Sequence, residues 1–110
     1  MDQAEFSTRI EVCPADELGP GQMRLVEAAG LKIGVFNCDG ALHAIEDRCS
    51  HDDGPLAEGL FDADACTVEC PRHGSLFDVT TGKPRTLPAF APVKTFPVSV
   101  ENSTITLEVE

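Results

Sequence analysis

Cys49-Ser50-His51 and Cys70-Pro71-Arg72-His73 are the two stretches that decide the fold of this 110-residue chain. The eighteen residues 52–69 separate them. Each stretch offers one thiolate and one imidazole, so together they suit two metal ions of unequal ligand preference better than one. In a mixed-ligand [2Fe-2S] cluster, two Cys bind one iron and two His bind the other. The spacing C-x-H…C-x-x-H therefore predicts a cluster bound by Cys49, His51, Cys70 and His73.

Two other uses of the same residues stay open, and both rank below the cluster. Tetrahedral zinc accepts Cys and His, but its usual spacings are C-x2-4-C paired with H-x3-5-H, or four Cys in two knuckles. One Cys and one His in each stretch fit those spacings poorly. A disulfide between Cys49 and Cys70 would leave the two His without a role.

The residues around the candidate ligands extend the pattern. Residues 49–56 read Cys-Ser-His-Asp-Asp-Gly-Pro-Leu, and residues 70–78 read Cys-Pro-Arg-His-Gly-Ser-Leu-Phe-Asp. Thr-Gly-Lys-Pro at 81–84 and Leu-Pro-Ala at 87–89 follow. These segments resemble the two cluster loops and the neighbouring proline-containing loop of the Rieske ferredoxins, and the likeness runs over about residues 41–100.

Within that family the match is closest to the soluble ferredoxins that feed electrons to oxygenases. Respiratory and photosynthetic members carry an additional Cys in each cluster loop and join the two loops by a disulfide. The corresponding positions here hold Gly54 and Arg72, so that bridge cannot form. The resemblance implies one Rieske [2Fe-2S] cluster as the cofactor and one-electron transfer as the function.

The sequence favours a carrier over a catalyst. It contains no 2-His-1-carboxylate motif, no Gly-rich nucleotide fingerprint and no Ser-His-Asp arrangement. Two of the three His are candidate ligands, and His43 falls in a predicted strand. As the resemblance implies, we expect an electron-transfer component rather than an enzyme, which receives electrons from a flavin-containing or iron-sulfur reductase and passes them to a terminal non-haem iron oxygenase.

Two alternative functions stay open beside oxygenase electron transfer. Stand-alone Rieske proteins of similar appearance accompany the iron-sulfur cluster assembly machinery. A small Rieske subunit can also belong to a larger oxidoreductase. The neighbouring genes would discriminate among the three functions.

Charge narrows the class of partner. The formal net charge is -11, the isoelectric point is about 4.5, and the chain has only eight Lys and Arg. Nucleic acid is therefore excluded as a partner, because neutralising phosphates needs basic residues. An acidic surface favours docking to basic patches on redox proteins, although acidity also keeps a protein in solution. We expect redox protein partners and a monomer in isolation.

The sequence gives no sign of export or membrane insertion. Met1-Asp2-Gln3-Ala4-Glu5 is acidic and lacks the basic and apolar regions of a secretory signal. No run approaches the ~18 apolar residues of a membrane span. We expect a cytoplasmic protein without membrane contact.

Apolar residues alternate with polar ones between short turn signals, which predicts an all-β fold. Residues 31–45 and 98–109 each read as a hairpin, and a single helical turn is predicted around residues 15–18. We expect one Rieske domain over residues 1–110. Its architecture should be an antiparallel β-sandwich or barrel, with a cluster-binding subdomain of about residues 46–88 inserted between the strands.

Three further cysteines and a proline-rich stretch complete the sequence predictions. Cys13, Cys38 and Cys66 are an odd remainder after the candidate ligands, which argues against an oxidised scaffold and predicts three buried thiols. Residues 83–97 hold four of the eight Pro and should be irregular, because Pro cannot donate to a β-ladder. The resemblance implies that part of this stretch covers the cluster.

Neighbouring side chains set the expected reduction potential. High-potential Rieske proteins are known for a Ser and a Tyr hydroxyl that donate to the cluster, and the matching positions here are Ser75 and Phe77. One donor is therefore lost. Acidic side chains close to the ligands should lower the potential further, and these are Asp47, Asp52 and Asp53.

We expect a potential in the lower half of the Rieske range, below about +50 mV. Phe77→Tyr should raise it, because an added hydroxyl donor stabilises the reduced, more negative site. Redox potentiometry of both proteins measures this. A wild-type potential well above that limit, or an unchanged potential in the variant, contradicts the expectation.

Overall fold

The computed structural model describes residues 8–28, 30–51 and 54–109. These residues contain ten short strands and one 3-10 turn. In chain order the elements are β1 (Thr8–Pro14), the turn Ala15–Glu17, β2 (Met23–Ala28), β3 (Leu31–Cys38), β4 (Ala41–Glu46), β5 (Leu60–Asp62), β6 (Thr67–Glu69), β7 (Leu76–Asp78), β8 (Thr95–Phe96), β9 (Val98–Glu101) and β10 (Thr104–Val109).

The strands form three antiparallel sheets. Sheet A has the order β1-β10-β9, sheet B the order β2-β3-β4-β8, and sheet C the order β5-β6-β7. Sheets A and B enclose one hydrophobic core, to which sheet A contributes Cys13, Ile105, Leu107 and Val109, and sheet B contributes Ile33, Val35, Ala44 and Phe96. The predicted all-β sandwich is therefore confirmed.

The two predicted hairpins are present as β3–β4 and β9–β10. Asp39 and Gly40 connect the first and both have positive φ, the conformation that a two-residue turn between twisted strands requires. The predicted helical turn is also present, as Ala15–Glu17. No helix among the described residues has the length and apolar character needed to cross a membrane.

Sheet B is buried on both faces, and β3 shows how the sequence achieves this. Successive side chains of a strand point to opposite faces of the sheet. Ile33 and Val35 enter the core that sheet B shares with sheet A. Phe36 and Cys38 enter a second core, on the other face, which also contains Cys49 and Cys70. The molecule is thus layered, and the second core holds both candidate cysteine ligands.

The segment that carries the candidate ligands is inserted between two strands of sheet B. The chain leaves that sheet at the end of β4 and returns to it at β8, where Phe96 pairs with Ala44. Sheet C lies within this insertion. The predicted insertion between strands of the basal sandwich is confirmed.

Gly34 allows the insertion to pack closely on β3. A Cβ atom at this position would lie 2.6 Å from the Ala57 Cβ and 3.0 Å from the Phe36 ring. Ala57 itself is fully buried. Glycine at this position therefore lets the first candidate loop approach the backbone of sheet B.

The prediction of three buried thiols is wrong for two of them. Cys38 and Cys66 form a disulfide, with their Cα atoms 5.4 Å apart and a sequence separation of 28. Cys38 ends β3 on the face toward the second core, and Cys66 lies in the turn between β5 and β6, so the fold brings them together. Only Cys13 behaves as predicted, as a buried thiol in the basal core.

We expect the Cys38→Ser/Cys66→Ser variant to lose about 3 to 4 kcal/mol of stability, because the bridge closes a long loop in the unfolded chain. Urea unfolding measures the change. Wild-type protein treated with a thiol reductant is the matched comparison and should approach the variant. Equal midpoints with and without reductant would contradict a bridge in the native protein.

Candidate metal centre

The first candidate loop joins β4 to β5 and is closed by one carboxylate. Asp47 Oδ1 accepts hydrogen bonds from Leu56 N at 2.8 Å and Ala57 N at 2.7 Å. Inside this closure Cys49 N donates to Gly54 O at 2.7 Å. The sequence prediction treated Asp47 only as a charge near the cluster. In the structure its carboxylate accepts hydrogen bonds from two backbone N–H groups of the loop. Asp52 and Asp53 lie outside the described residues.

The second candidate loop connects β6 to β7. Cys70 N donates to Ser75 O at 2.8 Å, and Gly74 N donates to Cys70 O at 2.9 Å. Gly74 has φ of 77°, a conformation that glycine adopts without strain. These bonds form a tight turn in which Cys70 is fully buried while His73 is exposed.

The two candidate loops also pack on each other. A Cβ atom at Gly59, where the first loop ends, would lie 1.6 Å from Glu69 O on β6. No side chain fits in that space. Glycine therefore fixes the distance between the end of the first loop and the strand that leads into the second.

The four candidate ligands divide into a buried pair and an exposed pair. Cys49 and Cys70 are both fully buried and belong to the second core. His51 and His73 are exposed, and their ring centroids lie 4.6 Å apart with the ring planes nearly perpendicular. The sulfur donors thus point away from water, and the nitrogen donors lie side by side at the surface.

This donor set fits a [2Fe-2S] cluster with mixed ligands. Such a cluster needs two thiolates at one iron and two imidazoles at the other. Two buried thiols and two adjacent imidazoles match that division. Within residues 8–28, 30–51 and 54–109, no three His, Cys, Asp or Glu side chains converge on a single ion position.

A third segment, which we call the proline loop (residues 83–93), is bonded to both candidate loops. Ala89 N donates to Ser75 Oγ at 3.0 Å in the second loop. Ser50 Oγ, in the first loop, donates to Ala91 O. The peptide bond before Pro88 is cis, and Ala89 is buried. Residues 88–91 are therefore the part of the proline-rich stretch that adjoins the candidate ligands.

Ser50 is a residue that sequence reasoning missed. It lies between Cys49 and His51, and a hydroxyl in that position was the available signal. Its bond to Ala91 O spans 41 residues of sequence. A partner so distant in sequence could not be identified before the fold was known.

Ser75 has the geometry of a hydroxyl donor. It is fully buried, and its Oγ accepts the Ala89 N–H. A hydroxyl that accepts one hydrogen bond still has its own hydrogen to donate. Phe77, at the position of the second hydroxyl in high-potential proteins, is fully buried and has no such group.

An ion pair connects β7 to the proline loop. Asp78 Oδ2 accepts a hydrogen bond from Arg85 Nη2 at 2.9 Å, and Asp78 Oδ1 accepts from Thr80 N. Burial acts to raise the pKa of Asp78, but the hydrogen bonds from Thr80 and Arg85 outweigh it and hold the pKa below its ordinary value. Asp78 therefore stays ionised near neutral pH and fixes Arg85 in place.

Comparison with known proteins identifies the family. The Rieske [2Fe-2S] domain profile matches residues 8–97. The "3-phenylpropionate/cinnamic acid dioxygenase ferredoxin subunit" of Shigella boydii serotype 4 is 41% identical over 100 residues, which cover 91% of this chain and 92% of that protein.

Comparison with solved structures also finds ferredoxins of similar fold. The ferredoxin of carbazole 1,9a-dioxygenase from Nocardioides aromaticivorans IC177 has a TM-score of 0.85 at 34% identity, and the match covers 91% of this chain and 96% of that one. A chain in the complex of reduced oxygenase and oxidized ferredoxin in carbazole 1,9a-dioxygenase has a TM-score of 0.83, also at 34% identity, with 90% and 91% covered.

The chain belongs to the Rieske [2Fe-2S] domain family. Its relatives are named as ferredoxins, so it is an electron carrier and not the catalytic component of such a system. The predicted family, cofactor and class of function are confirmed.

We expect Ser75→Ala to lower the reduction potential by roughly 60 mV, which is a tenfold change for one electron. The reason is that the reduced site loses a hydroxyl donor. Redox potentiometry measures the shift.

Thr86→Ala is the matched control, because Thr86 Oγ1 also accepts a backbone N–H, from Leu76 at 2.8 Å, but on an exposed residue. Its potential should stay at the wild-type value. Equal shifts in the two variants would show that Ser75 acts only by holding the backbone.

Proposed function

We propose that this protein carries single electrons from a reductase to the terminal non-haem iron oxygenase of a ring-hydroxylating dioxygenase system, through a cluster bound by Cys49, His51, Cys70 and His73. One observation carries the proposal: the two thiols are buried in a core while the two imidazoles lie side by side at the surface. An electron carrier needs one buried and one exposed side of this kind, because its cofactor must be protected from water and must still be accessible to a partner protein.

The cluster, when bound, supplies one-electron chemistry at about -150 to +300 mV, above the potential of about -400 mV of all-Cys plant-type clusters. The residues of the chain provide the surroundings. Cys49 and Cys70 supply the negative charge of the ligand set, inside a core that excludes water. His51 and His73 are neutral ligands, so they repel an added electron less than thiolates would. Their outer ring edges form the contact with a partner.

The relatives support an oxygenase as the acceptor. The ferredoxin subunit from Shigella boydii belongs by name to a dioxygenase, and the carbazole 1,9a-dioxygenase complex contains both oxygenase and ferredoxin. We propose a flavin-containing or iron-sulfur reductase as the donor. A carrier of this kind touches neither the aromatic substrate nor oxygen, so its sequence leaves the oxygenase's substrate open.

We further propose that residues 46–88 act as the cluster-binding subdomain. The closure by Asp47 and the turn around Gly74 support this range, because both hold backbone around the candidate ligands, and the bond from Ala89 N to Ser75 marks where the subdomain meets the rest of the proline loop. The proposed setting is the cytoplasm, where a nicotinamide-dependent reductase works, and the proposed form in isolation is a monomer.

We expect Cys49→Ser and His73→Ala to lose iron, visible colour and the electron paramagnetic resonance signal of the reduced protein, because each removes one proposed ligand. NAD(P)H-driven hydroxylation with the reductase and oxygenase of 3-phenylpropionate/cinnamic acid dioxygenase should fall to background. Iron analysis, electron paramagnetic resonance and product formation measure these effects.

Cys13→Ser is the matched control, because Cys13 is a buried thiol in the basal core, away from the candidate ligands. It should keep its iron, colour and hydroxylation. Full iron content in the Cys49→Ser variant would contradict the assignment of Cys49 as a ligand. A wild-type protein that supports no hydroxylation but transfers its cluster to an apo-acceptor would overturn the proposed function.

A further inference from the structure

Acidic residues are absent from one continuous part of the sequence. None of the 19 Asp and Glu falls between residues 79 and 100, although that stretch is a fifth of the chain. The same stretch holds three basic residues, Lys83, Arg85 and Lys94. This stretch therefore carries a formal charge of +3 and the rest of the chain carries -14, and the proline loop lies within the stretch.

The proline loop also exposes the two most accessible large hydrophobic side chains among the described residues. Phe90 is 82% exposed and Leu87 is 78% exposed. They flank Pro88 and Ala89, the part of the loop that adjoins the candidate ligands. Exposed apolar side chains grouped beside a functional site mark an interaction surface more often than isolated ones do.

A groove of about 400 Å³ runs along this surface. Its lining includes Lys83, Arg85, Thr86, Leu87, Phe90 and Pro92. Lys83 and Arg85 form a basic wall, and the ion pair with Asp78 holds Arg85 rigid. Since Asp78 neutralises Arg85, the unbalanced positive charge of the wall comes from Lys83.

Backbone hydrogen bonds hold the proline loop in place. Ala89 N is bonded to Ser75, and Val93 N is bonded to Gly82 O at 2.8 Å. The side chains of Leu87 and Phe90 project from a backbone that is already held in place. Binding of a partner to these side chains therefore costs little entropy for ordering the loop.

We propose that Leu87 and Phe90, with Lys83 at the edge, form the docking surface for the terminal oxygenase, whose matching face is apolar at its centre and acidic at its rim. The inference rests on the proposed function and adds the residues and the chemistry of the partner's face. Charge complementarity supports an acidic rim, because residues 79–100, which include the proline loop, contain three basic side chains and no acidic one in an acidic protein. The surface is also continuous with the candidate ligands through Ala89 and Ser75.

The oxygenase is the occupant that the relatives favour. A ferredoxin chain 34% identical to this one over 90% of its length is part of a solved complex with an oxygenase. The acidic remainder of the surface suits a reductase with a basic contact face. The reductase and the oxygenase would then bind different surfaces around the exposed imidazoles of His51 and His73.

The experiment measures the two electron transfers separately. Stopped-flow absorbance follows reduction of the holo-ferredoxin by the reductase, and then transfer from pre-reduced ferredoxin to the oxygenase, with the components of 3-phenylpropionate/cinnamic acid dioxygenase as probes. The variants are Leu87→Ser/Phe90→Ser and Lys83→Glu. Leu60→Ser is the matched control, since Leu60 is 74% exposed in the same inserted segment but on β5, at the far edge of sheet C from the proline loop.

We expect the double variant to slow transfer to the oxygenase at least tenfold, with the reduction potential, iron content and reductase step unchanged. Lys83→Glu should slow the same step more at low ionic strength than at high, because salt screens the repulsion. Leu60→Ser should match the wild type in both steps.

Each other outcome counts against the docking proposal. Transfer to the oxygenase at the wild-type rate in the double variant, or an equal loss in Leu60→Ser, contradicts the docking surface alone. A loss confined to the reductase step assigns the surface to the wrong partner. A wild-type protein that reduces no oxygenase contradicts the proposed function, and with it the docking surface.

Discussion

Hydrogen bonds between loops hold the two buried cysteines of the candidate centre in place, and the rest of the site depends on them. Three loops meet there, and none is a strand of sheets A, B or C, although an isolated bridge joins Pro84 of the proline loop to Phe77 on β7. Asp47 closes the first loop on itself, Ser50 ties it to the proline loop, and Ser75 ties the second loop to the same segment. Because these acceptors are side chains or distant carbonyls, the loops stay ordered while their outer ends remain exposed.

The basal sandwich supports the candidate centre through the face of sheet B that points away from sheet A. A strand buried on both faces needs apolar residues at nearly every position, and β3 has them from Ile33 to Cys38. One face completes the sandwich and the other supports the loops. Ala57 approaches Gly34, and Glu69 approaches Gly59, so closely that a Cβ atom has no room at either glycine, and the insertion therefore packs directly on sheet B.

The candidate ligands and the hairpins could be predicted because their signals are local. Metal ligands repeat at fixed spacings, and Asp39-Gly40 sets a turn by its own backbone preference. The Cys38–Cys66 disulfide could not, because pairing depends on which face of β3 carries Cys38 and on where a second hairpin packs. Counting cysteines gave an odd remainder, and an odd remainder still permits one bridge.

The hydrogen bonds of Ser50 and Ala89 could not be predicted from the sequence either, because each joins residues that only the fold brings together. The resemblance indicated that some proline covers the cluster without indicating which one. Pro88, which follows a cis peptide bond, directly precedes Ala89, whose buried N–H donates to Ser75 in the second candidate loop.

Net charge was the least informative of the sequence signals, since it averages over surfaces that face different partners. A carrier accepts and releases its electron near one exposed pair of imidazoles, so its two partners cannot dock there together. They can be distinguished only by the surface around that pair. Here the proline loop exposes Leu87 and Phe90 and contains no acidic residue, while all 19 Asp and Glu lie elsewhere in the sequence. Segregated charge would let a chain of 110 residues present different contact faces to the two proposed partners without a second site for the electron.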